Sequence, residues 1–596
     1  MMIPKDMRNT PNYQPKKNKI KESMLGSLFR VRLFLGILVL AGCAVIVRLF
    51  FLQVLSHDKW VALALGQHNA SLELSADRGE IYMHDGADRY PLAVNREYQM
   101  VFVVPKDIVE KDTTALELSR ILGVDANEIR DKIGRPNDPF EIIKKRLSEE
   151  EVTQIKNIQL KGVALLPEKY RYYPAGELAS QVVGFASLGE KGGAGGYGIE
   201  ASLDAQLRGQ TGTLSQEKDA SGRWISLTDR LITHEEDGES VVMTLDRVIQ
   251  YETEKILKDS VERYQADHAT AIVMDPKTGN ILAMASSPQF DPNNYSKEED
   301  YAIFLNHAVS TAYEPGSIMK PISMAIGIEE GKVSPDTMYT DTGSVTEAGY
   351  TIHNAEDKVY GKSSMYQVLD ESINTGVIYV EKLVGNRVFG EYLHRFGFGE
   401  RTGVALPAEL PGNLRNLNNE RGTINFFTAA FGQGITATPI QMVTAYAVLA
   451  NGGRLLKPNI IDRVIHGDGR EEQRLPTEVR RVVSEETSKV MGQMLRSVVV
   501  NGHGKRADVP GYLVGGKTGT AQVAKSGSKG YEEGLSIGSF VGYAPLNDPQ
   551  FVVMVKLDNP KNVEWAESSA APTFGQIMKF LLEYAKIKPT EETSKK

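Results

Sequence analysis

Between Leu33 and Leu55 the chain runs almost without charge: LFLGILVLAGCAVIV to Val47, then, past Arg48, LFFLQVL, 23 residues in all. At about 1.5 Å of rise per residue such a stretch spans the ~30 Å hydrocarbon core of a bilayer, with Arg48 close enough to one end to snorkel. The pattern predicts one transmembrane helix over 33–55. Residues 1–32 carry eight Lys or Arg against Asp6 and Glu22, so the positive-inside rule makes 1–32 a cytoplasmic tail and sends residues 56–596 to the far side of the membrane. Leu40-Ala-Gly-Cys43 has the form of a lipidation box, but its leader is long and the chain stays apolar beyond it, where a lipoprotein turns polar.

A chain of 596 residues exceeds one hydrophobic core and must divide. Residues 56–240 read as an elongated α+β segment, with a strand at Tyr98–Val104 and helical stretches at Asp112–Leu122 and Pro139–Ile158. The run Gly193-Ala-Gly-Gly-Tyr-Gly198 formally matches a dinucleotide fingerprint, yet its loop-like flanks favour a hinge over a βαβ unit. From about residue 241 to 587 the texture changes. Asp246 can cap a helix, Ala271–Ala285 holds two strands around a Pro and Gly turn, and Gly511–Val523, Ser536–Ala544 and Phe551–Leu557 read as three more. A last amphipathic helix runs from Pro572 to Ile587, before a Lys-rich tail, 588–596, expected to be disordered. The predicted fold is α/β, an antiparallel five-stranded sheet framed by helices.

Composition narrows the chemistry. A net charge of −8 gives no footing for nucleic acid, and the single Cys43 allows neither a disulfide nor a cysteine metal cluster. None of the ten histidines forms the H-E-x-x-H pair of zinc hydrolases. Gly534-Leu-Ser-Ile-Gly538 has the form of a nucleophile elbow, but no histidine follows His503, so no Ser-Asp-His order can be completed.

Three short motifs remain: Ser317-Ile-Met-Lys320, Ser372-Ile-Asn374 and Lys517-Thr-Gly-Thr520, with Ser372 55 and Lys517 200 residues after Ser317. Each alone recurs by chance, and Ser372 with Asn374 alone would read as helix capping. Their order and context are specific. The chain resembles class B penicillin-binding proteins over essentially its whole length. The likeness lies in Tyr313-Glu-Pro-Gly-Ser317-Ile-Met-Lys-Pro321, Gly515-Gly-Lys-Thr-Gly-Thr-Ala-Gln522, Asp77-Arg-Gly-Glu-Ile81, Gly196-Tyr-Gly-Ile-Glu200 leading to Leu207-Arg-Gly209, and Phe431-Gly-Gln-Gly-Ile-Thr-Ala-Thr-Pro439. The Gly502-His503-Gly504 loop departs from the family's usual Gly-Thr.

Physical chemistry agrees with the resemblance. Pro315-Gly316 suits a helix start, where free N–H groups favour a serine alkoxide and a developing oxyanion at Ser317. Lys320 follows at i+3 on the same face, and serves as its base only if burial and Lys517 depress its pKa. The resemblance implies that Ser372 relays a proton to the leaving amine and that Asn374 contacts Lys320 and the substrate amide. It also implies that Lys517, Thr518, Gly519 and Thr520 lie on the strand binding the substrate's terminal carboxylate. The N–H of Thr520 would complete the oxyanion hole.

The implied reaction is D,D-transpeptidation. Ser317 attacks the D-Ala-D-Ala bond of a peptidoglycan stem peptide, D-Ala leaves, and the acyl group passes to a neighbouring stem's amine. β-Lactams would trap the acyl-enzyme, and the reaction needs no cofactor or metal. The resemblance makes 56–240 a pedestal in an anchored, single-pass protein of the cell membrane. Arg171-Tyr-Tyr-Pro-Ala-Gly-Glu177 favours the division-associated branch, with a membrane-embedded glycan polymerase and other division proteins as partners. An elongation-type enzyme, a D,D-carboxypeptidase and a non-catalytic scaffold stay open as alternatives. A β-lactam sensor lacks a signalling module, and the Glu409-Leu-Pro-Gly-Asn413 stretch resembles a structural turn more than a β-lactamase's deacylating loop.

Overall fold

A computed structural model of the chain describes residues 19–55, 69–74, 76–135, 140–187, 193–217, 231–524, 530–563 and 565–589. Most of the expected tails, 1–18 and 590–596, thus lies outside the described residues. Two compact units are present, one of residues 1–74 and 212–234, the other of 75–211 and 235–596.

In the first unit Lys19–Phe50 is an α-helix that ends in a π-turn, Phe51–Leu55. Its Val31–Leu55 portion is long and apolar enough to cross a membrane. Strands Asn69–Leu74, Gly212–Glu217 and Leu231–Thr233 make a small antiparallel sheet.

The second unit holds two larger sheets. One, of seven strands, runs in the order Glu471–Gln473, Ile461–Ile465, Ser240–Asp246, Ile81–Asp85, Asp88–Val103 and Glu141–Lys144, with Val163–Tyr172 also paired to Asp88–Val103. Strand Ser240–Asp246 lies between strands from both halves of the chain, so the expected boundary at 240 falls inside a shared sheet. Within Pro139–Ile158 the expected helix gives way to the strand Glu141–Lys144, and a helix starts only at Glu149. Ile142 and Ile143 are stiff, β-branched residues that suit a strand, and the Ser148/Glu151 capping box sets the helix start behind them. In the Gly193–Gly198 run, expected as a hinge, Gly196 N–H donates to Phe185 O (2.8 Å) and Gly195 bridges Ala186.

Three family-like segments converge under this sheet. Arg78 Nε donates to Glu200 Oε2 (2.7 Å), Arg171 Nε to Glu200 Oε1 (2.6 Å), and Arg78 Nη1 to Asp204 Oδ1 (2.9 Å). Tyr173 Oη also donates to Glu200 Oε1 at 3.2 Å. Glu200 is fully buried, so each of its oxygens replaces water with fixed donors.

The other sheet is antiparallel with five strands: β1 (His268–Met274), β2 (Ile281–Ser287), β3 (Gly515–Ala524), β4 (Tyr531–Ala544) and β5 (Phe551–Asp558), in the order β2-β1-β5-β4-β3. Side chains of a strand alternate between faces. Accordingly Val553, Val555 and Leu557 of β5 join one core with helices Arg247–Tyr264 and Ala570–Tyr584, while Val552 and Met554 join the core of the helical layer behind. Both faces are covered, which explains the near-continuous apolar runs. Asp246 caps helix Arg247–Tyr264, accepting from Val248 N and Ile249 N at 2.9 and 3.0 Å. Ser536 sits within β4 and not at a strand-to-helix turn. Strand β3 is the sheet's edge, and the helical layer meets it there.

Candidate active site

Ser317 lies in a 3-10 turn, Gly316–Met319, that runs directly into helix Lys320–Glu329. Two bonds pin this segment from outside: Tyr446 Oη donates to Ile318 O (2.8 Å), and Ser323 Oγ to Ala430 O (2.7 Å). Gly316 N–H donates to Gly432 O at 3.0 Å. A Cβ on Gly432, whose φ is +81°, would stand 2.3 Å from Gly316 O. Only glycine lets the Phe431–Pro439 segment approach this closely. On the other side, a Cβ on Gly519 would stand 3.0 Å from Ile318 Cγ2 and 3.1 Å from Pro315 O, so a bare backbone there seats β3 against the serine turn.

Lys320 is 1% exposed. Its Nζ donates to the carbonyl of Ser372 and, at 3.1 Å, to Ser372 Oγ. Burial first, and then the charge of Lys517, push Lys320 well below the ordinary lysine range. Ser372 holds φ +55°, a left-handed conformation sparsely populated by serine, which turns both its oxygens toward Lys320. Asn374 opens helix Asn374–Val384, and its amide Nδ2 donates to His353 O at 2.9 Å. Where the resemblance implied an Asn374–Lys320 contact, the hydrogen bonds of Lys320 both go to Ser372 instead.

Lys517 is fully buried, with Nζ 3.2 Å from Thr518 O and 3.3 Å from Thr518 Oγ1. Burial presses it down to about 7, against the opposing pull of Asp370 and Glu567. Ser539 Oγ donates to Gly519 O (3.2 Å), and Thr520 Oγ1 accepts from Ala566 N (3.1 Å). A cavity of about 350 Å³ is lined by Ser317, Lys320, Ser372, Asn374, Thr518 and Thr520, with Lys517 behind its wall. The three motifs, spread over 200 residues, therefore meet in one place.

Residues 269–579 match the penicillin-binding protein transpeptidase domain, and 73–243 the penicillin-binding protein dimerisation domain. The chain is 34% identical over 558 residues to stage V sporulation protein D of Bacillus subtilis, covering 92% of this chain and 84% of that protein. The chain belongs to the class B penicillin-binding proteins. It is thus a serine-type peptidoglycan D,D-transpeptidase. Another relative is the probable peptidoglycan D,D-transpeptidase PbpC of Pseudomonas aeruginosa, 29% identical over 94% of this chain and 96% of that one. Among solved structures, penicillin-binding protein 3 of Mycobacterium tuberculosis complexed with aztreonam aligns with TM-score 0.67 at 29% identity, over 88% of this chain and 99% of that one.

This penicillin-binding protein also places residues around the site to which sequence reading gave no role. Glu314, within Tyr-Glu-Pro-Gly, accepts from Gly434 N (2.9 Å) and Tyr531 Oη (3.1 Å), joining the serine turn to two neighbouring segments. Burial raises its carboxyl. Asp370 precedes the Ser372 motif; its carboxylate accepts from Ser497 Oγ (2.8 Å) and its carbonyl from His503 N (3.3 Å). His503 lines the cavity, with Nδ1 2.8 Å from Glu567 Oε2. Glu314 and Asp370 were signalled only by adjacency to a motif, and His503 only by its departure from the family's Gly-Thr.

Proposed function

We propose that Ser317 is the nucleophile of this transpeptidase and that Lys320, held unprotonated by burial and by Lys517, takes its proton. The observation that carries this is a buried lysine, 1% exposed, whose hydrogen bonds go to Ser372, in the cavity that Ser317 lines. Attack on the penultimate D-Ala carbonyl forms the Ser317 ester, and Ser372 passes the proton to the leaving D-Ala. Thr518, Gly519 and Thr520 on β3 hold the terminal carboxylate, with Lys517 supplying positive potential from behind. Asn374 holds the substrate amide. A stem-peptide amine then takes the acyl group; β-lactams stop the sequence at the ester. The helix Val31–Leu55 anchors the chain, with its catalytic domain outside the cytoplasm.

Septal wall synthesis with a membrane-embedded polymerase is the cellular role we infer, supported by the Arg171–Glu177 segment. A sporulation role is the second reading, supported by the likeness to stage V sporulation protein D. Detergent-solubilised full-length chain is incubated with a fluorescent penicillin and the adduct located by peptide mass spectrometry. A stable adduct on Ser317, absent from Ser317→Ala, is expected; an adduct elsewhere, or none on folded protein, sinks the assignment. Adding an amine acceptor separates transpeptidase from carboxypeptidase by whether a cross-linked product forms. Depletion in the source cell separates the roles: filaments for division, normal growth with defective spores for the other.

A further inference from the structure

One wall of the cavity is a loop, residues 354–360, which contributes Ala355, Glu356, Lys358 and Tyr360. It faces the first turn of helix Asn374–Val384. What joins the two is a carboxylate outside the three motifs. Asp341 ends the strand Met338–Asp341 and is 2% exposed. Its Oδ1 accepts from Thr375 Oγ1 (2.6 Å), Gly343 N (3.0 Å) and Asn354 Nδ2 (3.1 Å). Its Oδ2 accepts from Tyr360 N (2.7 Å) and Asn354 Nδ2 (3.0 Å).

Asn354, 4% exposed, completes the knot. Its Oδ1 accepts from Thr375 N (3.1 Å), its Nδ2 also donates to Lys358 O (3.0 Å), and the carbonyl just before it, on His353, accepts from Asn374 Nδ2 (2.9 Å). Both ends of the loop and Thr375 are thus tied to one buried anion, and Asn374 is tied to the residue that leads into the loop. An ionised carboxylate accepts without donating, so it alone satisfies these converging donors at once. Neither Asp341 nor Asn354 lines the cavity.

We propose that Asp341 and Asn354 are positioning residues for Ser317 acylation, clamping the 354–360 loop to the helix start so that Asn374 is held at the substrate. This rests on the Ser317 reading given above. Reaction rates are sensitive to about 1 Å of misplacement, at a cost of about a hundredfold, which sets the scale of the effect.

The test measures acylation of the full-length chain by a fluorescent penicillin, separating the maximal rate from the half-saturating concentration, with thermal unfolding alongside. Asp341→Asn, which turns an amide donor toward donors, is expected to lower the maximal rate by about a hundredfold. Thr375→Val, which keeps the shape and removes one donor, is expected to lower it about tenfold with the half-saturating concentration little changed. In an Asn374→Ala background Thr375→Val should add no further loss, because its effect runs through Asn374. Should Asp341→Asn fail to fold, Thr375→Val and this cycle still decide. Wild-type rates in Thr375→Val, or losses that multiply in full with Asn374→Ala, would overturn the clamp while leaving Ser317 in place. A wild-type chain that is not acylated would overturn both.

Discussion

In the Arg78–Glu200–Arg171 cluster each buried charge faces its opposite, whereas Lys320 and Lys517 bring two amines that would carry like charge into one dry interior. Burial lowers the Arg78 guanidinium, but Glu200 and Asp204 more than offset this and raise it. Burial lowers both lysines too; Asp370 and Glu567 offset this at Lys517 only in part, and among the described residues neither lysine has an ion-pair partner. Removing a member of the first set leaves a stranded charge; removing a member of the second relieves one. The first arrangement therefore serves the fold, and on the mechanism we propose the second keeps an amine ready to accept a proton at the cost of an unfavourable interior.

Lys320→Met should break the comparison at its catalytic end. Acylation is expected to fall by about 10²–10⁴-fold, the range for losing a general base, while the thermal midpoint stays near wild type because a thioether of similar length fills the site. Rates from penicillin labelling, set beside a melting curve, check both. At the other end Glu200→Gln strands two buried guanidiniums. We expect a loss of about 3–5 kcal/mol in denaturant unfolding, with the acylation rate of the folded fraction unchanged. A variant that kept its stability but lost acylation would show that this cluster serves chemistry after all.

The two sets differed in how legible they were. The lysines stand in motifs whose order, and the family resemblance it carries, pointed to Ser317, Lys320, Ser372, Asn374 and Lys517, and to Thr518–Thr520 on a strand of a five-stranded sheet. The arginine cluster was visible only as family-like segments without a purpose, because Arg78 and Glu200 are 122 residues apart and neither has local periodicity. Asp341 and Asn354 were silent for the same reason: an Asp before Thr-Gly and an Asn after His look like ordinary turn residues. The position of Lys517 behind the cavity wall was equally hidden, since alternation along β3 predicts a face but not what covers it. The strand Glu141–Lys144 was missed where a short β-branched pair abuts a strong helix signal.

Raising pH sharpens the comparison further. Lys517 titrates at about 7 in the folded chain against 10.5 ordinarily. Between those values the unfolded chain binds more protons than the folded one, so stability rises with pH across that window, the reverse of a salt-bridged lysine. Thermal midpoints of the solubilised chain over pH 7–10 should show this slope, and Lys517→Met should flatten it. The same substitution removes the smaller of the two causes depressing Lys320, burial being the larger. The acid limb of the maximal acylation rate should therefore move to higher pH, and a move of one pH unit means about tenfold less free base below it.

The smallest effect is expected at a third buried lysine. Lys556 of β5 is 1% exposed, but it is ion-paired with Asp558 and its ammonium lies 5.0 Å from the centroid of the Tyr313 ring. It belongs with the arginines by its partner and with Lys517 by its sheet. Lys556→Met should leave the acid limb in place and change stability by about 1 kcal/mol or less, because Asp558, 24% exposed, can exchange the lysine for water. A pH–rate profile of this variant beside that of Lys517→Met reads the difference directly. If both profiles moved alike, any loss of buried charge in this sheet would suffice to shift Lys320, and the facing of like charges would no longer explain its reactivity.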